Sequence, residues 1–100
     1  MANVLKPLFR GAATTGSSTL YTVPSSTVAM ITAILVSNST GSSQTYTMSI
    51  DDVPIATAIS VPANESVTFE PKQVILAGGT IKALASSTSV YFHISGLEIK

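Results

Sequence analysis

From Thr19 onward, apolar and polar residues alternate in short runs separated by turn signals roughly every ten residues, the spacing of β-sandwiches and barrels. Thr19–Val23 forms the first run and stops at Pro24-Ser25-Ser26. The second, Thr27–Asn38, is apolar on both faces, with Val28, Met30, Ile34 and Val36 in one phase and Ala29, Ile31, Ala33 and Leu35 in the other. A strand of that kind is covered on both sides, or keeps one face for another subunit. Gln44–Ile50 alternates cleanly, predicting Tyr46, Met48 and Ile50 inward. Asp51-Asp52 reads as a two-residue reverse turn, because Asp tolerates left-handed dihedrals.

Val53–Val61 returns with Val53, Ile55, Ile59 and Val61 on one face, and Pro54 places its start at a sheet edge. Ser66–Glu70 points Val67 and Phe69 inward, Gln73–Leu76 ends at Gly78-Gly79, and Thr80–Ala85 sets Ile81, Ala83 and Ala85 against Lys82. In the last run, Val90–Ile99, the apolar phase changes from Val90, Phe92 and Ile94 to Leu97 and Ile99. A bulge at Gly96 would keep both sets on the core. The fold expected is all-β, a single antiparallel β-sandwich of seven or eight strands, with jelly-roll and Ig-like topologies both open. Residues 1–18 stand apart as an arm and linker before a sandwich domain at 19–100. Val4, Leu5, Leu8 and Phe9 of the arm are too apolar to prefer water, so it forms either an extra edge strand in cis or a contact on a neighbouring subunit.

Composition narrows the function. Only 10% of the 100 residues are charged, five acids against five bases, where about 25% is usual. Ser (15) and Thr (13) fill the gap and suit strands better than helices. Lys6, Arg10, Lys72, Lys82 and Lys100 form no basic cluster, which argues against nucleic acid as partner. A nearly uncharged surface also puts little repulsion between copies. There is no cysteine, no apolar run of membrane-spanning length, and no export signal legible in Met1 to Arg10.

Candidate chemistry is sparse. His93 is the sole histidine, so a zinc site or a Ser–His–acid triad is improbable, and no Gly-x-Ser-x-Gly elbow supports a nucleophile. Asp51-Asp52 lacks the third acid that calcium would need at loop spacing. Asn38-Ser39-Thr40 and Asn64-Glu65-Ser66 match the glycosylation acceptor by chance in a Ser/Thr-rich chain. Tyr21, Tyr46, Tyr91 and Phe92 are candidate sugar-stacking residues, though aromatics on alternating strands are more often core. No catalytic, metal or cofactor site is expected, and the chain does not read as an enzyme.

Leu20-Tyr21-Thr22-Val23-Pro24, Thr32-Ala33-Ile34-Leu35-Val36-Ser37-Asn38 and Tyr46-Thr47-Met48-Ser49-Ile50 resemble small β-sandwich virion proteins of tailed bacteriophages. Ile59-Ser60-Val61-Pro62-Ala63-Asn64 and Phe92-His93-Ile94-Ser95-Gly96-Leu97-Glu98-Ile99 fit the same pattern, so the resemblance covers residues 20–99. It implies a virion component, foremost a capsid decoration or cement protein on the capsid surface, assembled in the host bacterial cytoplasm. Its partners would be the major capsid protein and copies of itself, as a trimer or dimer, with neither nucleic acid nor membrane. The alternative is a tail-, neck- or fibre-associated module that binds host-surface glycan. Contacts are expected from Val4, Leu5, Leu8 and Phe9 of the arm, from Ile31 and Leu35 of the two-sided strand, and from Tyr21, Tyr91 and Phe92 as aromatic anchors.

Overall fold

The computed structural model describes residues 3–100. They form nine strands: β1 Asn3–Ala12, β2 Ser18–Thr22, β3 Val28–Asn38, β4 Gln44–Ile50, β5 Val53–Val61, β6 Ser66–Phe69, β7 Val74–Ile75, β8 Thr80–Ala85 and β9 Val90–Ile99. The eight runs expected from Thr19 onward are β2–β9, and the arm supplies β1. Met1 and Ala2, the first residues of that arm, lie outside the described residues.

All ladders are antiparallel and build two sheets, which we call A (β1-β9-β3-β6, with β7 also on β3) and B (β2-β8-β4-β5). The pairs β1·β9, β2·β8, β3·β6/β7 and β4·β5 nest inside one another, so the chain is one long hairpin whose successive pairs fall in alternate sheets. That is the jelly-roll topology, and it decides between the two the sequence left open. The molecule measures 45 × 22 × 18 Å.

Core formation follows the alternation where it is unbroken. Tyr46, Met48 and Ile50 of β4, Ile81, Ala83 and Ala85 of β8, and Phe92 and Ile94 of β9 are buried between the sheets. Tyr46 bridges the layers, stacked on Phe69 at 6.2 Å and edge-on to Phe92 at 6.0 Å between centroids. The β4–β5 turn is left-handed at both central residues, Asp51 (φ 53°) and Asp52 (φ 64°), the type I′ geometry whose twist matches a hairpin. Asn38 is buried and ties the β3–β4 loop to the β5–β6 connection: its Nδ2 donates to the carbonyls of Ser42, Val61 and Pro62, and its Oδ1 accepts from Thr40 N and Oγ1. A side chain so enclosed offers no acceptor for a glycan.

Three face assignments are corrected. On β9 the alternation runs straight through Gly96, so Leu97 and Ile99 face outward and Glu98 faces inward at 1% exposure. The carboxylate stays inside because Tyr21 Oη donates to it and Lys6 Nζ and Lys100 Nζ lie 3.5 and 3.7 Å away. The bulges sit instead on both neighbours of β9, at Leu8 of β1 and Thr32 of β3. A Cβ on Gly96 would come within 2.6 Å of Leu8 Cδ1 and of Met30 O. Glycine is therefore required there to let Leu8 lie across β9 and seal the core.

The Thr32 bulge also changes the phase of β3. Ala29 and Ile31 before it, and Ile34 and Val36 after it, all point inward, leaving Val28, Met30, Ala33 and Leu35 on the outer face. On β5, irregular pairing around Ile55 and at Thr57-Ala58 breaks the single apolar face. Val61 is buried and Ile55 packs on the core, while Val53 and Ile59 remain exposed.

Candidate docking face

Because Phe92, Ile94 and Glu98 fill the interior, the odd residues of β9 project from sheet A away from sheet B. Register then assembles a row across the whole sheet: Leu5 opposite Leu97, Leu97 opposite Met30, and Met30 opposite Val74. Leu5 is 79% exposed, Val74 59% and the adjoining Leu76 66%. Ile99 and Val28 form the next row toward the strand ends. Isolated exposed apolar residues are ordinary on a protein surface, but a contiguous patch marks an interaction surface.

The other half of the same face is more polar. Arg10, His93, Leu35 and Thr68 make one register row, and Ala12, Tyr91, Ser37 and Ser66 the next. Between the two halves lies an open depression lined by Arg10, Ala33, Leu35, Thr68, His93 and Ser95. A second apolar cleft opens where edge strands β5 and β6 face each other, with Tyr46, Ile55, Ile59, Val67 and Phe69 as its walls.

All four sheet edges carry devices against strand pairing with another chain. β1 has Pro7 and the Leu8 bulge, and β6 and β7 are separated by a break that includes Pro71. β2 is five residues long with an irregularity at Leu20, and β5 has Pro54 and the left-handed Ala58 (φ 49°).

The residues expected to make contacts do not come together as one surface. Leu5, Leu35 and Tyr91 share the outer face of sheet A. Leu8 and Ile31 belong to the core at 7% and 0% exposure, and Phe9 packs against it. Val4 is half-exposed on the β1 edge, opposite Glu98. Tyr21, on β2 of the other sheet, is held by Glu98; burial, and then the hydrogen bond to that carboxylate, raise its phenol pKa well above the usual value. Phe92 is fully buried. The sequence reading missed Met30, Leu97, Val74 and Leu76. Leu97 was visible as an apolar residue out of phase with Phe92 and Ile94, and its phase was itself the sign of an outward position.

His93 stands between Arg10 and Leu35 on the outer face, with no acid across either register pair. Among the described residues, no three His, Asp or Glu side chains converge to hold a metal ion. The Asp51 and Asp52 carboxylates are engaged locally, accepting from Thr80 N at 3.1 Å and Lys82 Nζ at 2.8 Å. The chain matches no protein-family model and no curated protein.

Proposed function

We propose that this protein is a non-enzymatic structural subunit of a bacteriophage particle, a capsid decoration or cement protein that docks on the assembled head through the outer face of sheet A. The observation that carries this reading is the register-aligned row Leu5–Leu97–Met30–Val74, four strands wide, exposed at Leu5 and Val74 and partly buried at Leu97 and Met30. The resemblance of residues 20–99 to small phage virion proteins supports it. So does the jelly-roll topology, an architecture on which viral capsid domains are built, although fold analogy alone assigns no role. The protein acts on the capsid surface beside other copies of itself, and its partner is the major capsid protein. Binding that requires the assembled shell stabilises the shell by mass action.

Burying a leucine-sized side chain contributes about 1.5–3 kcal/mol. Replacing Leu5 and Leu97 with Ser therefore weakens docking by at least tenfold, since 1.4 kcal/mol is a factor of ten. The test is co-sedimentation of the purified protein with particles lacking it, followed by heating and osmotic shock. The wild type is expected to bind and raise resistance, and the double variant to do neither. Equal resistance with and without bound protein would remove the cement role. The tail- or fibre-associated glycan module has less support, because Tyr46 and Phe92 are core residues and Tyr91 is the exposed aromatic on the docking face.

A further inference from the structure

The docking face carries a charge pattern that specifies part of its partner. Arg10 and His93 are direct cross-strand neighbours on β1 and β9, both exposed, at the rim of the depression floored by Ala33 and Leu35. Lys6 and Lys100 are paired with Glu98, and Lys82 with Asp52. Arg10 is paired with no carboxylate among the described residues. No outward position within β1, β9, β3, β6 or β7 is an Asp or Glu, and Glu70, exposed just past Phe69 in the phase of Thr68, makes no ion pair with Arg10.

We propose that this depression receives the carboxylate of an Asp or Glu side chain from the protein on which the apolar row docks. The inference rests on the docking reading and adds the chemistry of the partner: an apolar strip with an acidic residue beside it. Arginine presents a planar fork of N–H donors that matches a carboxylate in bidentate geometry. The neighbouring imidazole donates a further N–H in either protonation state. Ala33 and Leu35 supply an apolar floor for the methylenes of the incoming side chain, and covering the depression removes water that would otherwise weaken the pair. A second copy meeting this face through the same face presents Glu70 as its acid, so a same-face dimer is the competing occupant that the oligomeric state reads out.

The depression can be read separately from particle docking. Sodium hexanoate, a carboxylate on a short apolar chain, is titrated into the folded protein at constant ionic strength, with 1-hexanol and sodium phosphate as matched arms. NMR follows the Arg10 Nε–Hε, His93 ring and Leu35 methyl resonances. Saturable shifts at all three are expected with hexanoate, at a Kd on the order of millimolar for so small a ligand. Arg10→Gln, at an exposed position, leaves the fold intact and weakens hexanoate about five- to tenfold. Equal response to hexanol, equal response to phosphate, or no saturable shift each overturns the inference.

Particle co-sedimentation separates the two readings. An Arg10→Gln variant binding particles as tightly as wild type would overturn the carboxylate site and leave docking standing. Hexanoate binding by a protein that never binds particles would leave the site and remove the docking reading. A dimer in sedimentation velocity that Leu97→Ser dissociates would make a second copy the occupant and overturn the proposal.

Discussion

Replacing Glu98 with Gln tests the least expected feature of the fold, a carboxylate inside the sandwich. Glu98 is joined to two elements distant in sequence, Tyr21 of β2 through a hydrogen bond and Lys6 of β1 at 3.5 Å, and to Lys100, two residues on, at 3.7 Å. The ammonium groups are half-exposed, at 42% and 55%, so their pairing is partly screened and contributes a fraction of a kcal/mol each. The larger part is the hydrogen bond to a charged acceptor, about 1.5–3 kcal/mol. Glu98→Gln keeps the shape and an acceptor oxygen but loses the charge, so a loss of about 2 kcal/mol is expected at neutral pH. For a domain of this size each kcal/mol moves Tm by roughly 4–8 °C, which places the variant about 10 °C lower.

The pH dependence carries the sharper test. The Tyr21 hydroxyl, helped by Lys6 and Lys100 and opposed by burial, holds the Glu98 pKa below its ordinary value. A folded-state pKa below the unfolded one means the carboxylate's contribution is complete above the unfolded value, about 4.3. It is lost as pH falls through the folded value. Urea unfolding of wild type and variant from neutral pH into strong acid should show stabilities about 2 kcal/mol apart at the start that converge at the end. A Glu98→Gln protein as stable as wild type at neutral pH, with the same acid slope, would refute the account of Glu98 as a charged internal tie.

Gly96→Ala should cost about 1–3 kcal/mol by overpacking, because a flexible Leu8 can move aside but the Met30 carbonyl cannot; chemical denaturation measures it. Adding Leu8→Ala relieves only the side-chain clash, so the double variant stays less stable than Leu8→Ala alone. Asn38→Ala removes a buried amide that satisfies three carbonyls, and about 2–3 kcal/mol of stability should go with it in the same assay. Ala58→Gly relieves a left-handed residue at the β5 bulge; relief and the added freedom of the unfolded chain nearly offset, so thermal unfolding should shift by less than about 1 kcal/mol toward stability.

How much of this was legible in the chain depends on the range of the interactions that decide it. The β4, β5, β8 and β9 boundaries, the Asp51-Asp52 turn and the inward sets of β4 and β8 follow from local alternation and turn chemistry. The period of two orients each side chain relative to its immediate neighbours. The Thr32 bulge was not legible, because both faces of β3 are apolar and either phase satisfies the pattern. The inward Glu98 was not legible either, since two of its partners, Lys6 and Tyr21, come from the far end of the chain.

The apolar row on sheet A belongs to the same class. Leu5, Met30, Val74 and Leu97 are ordinary residues singly, and only the register of β1, β9, β3 and β7 lines them up. By itself the sequence determined that this is a neutral, hydroxyl-rich, all-β chain with a two-sided apolar strand and an apolar N-terminal segment. Tertiary structure decided that this segment is edge strand β1, seated by Leu8 over Gly96, and that the jelly-roll order brings four separated residues into one row. The reason is physical: alternation is a local property of the backbone, whereas bulges, burial of charge and sheet order are settled by contacts between residues far apart in the chain.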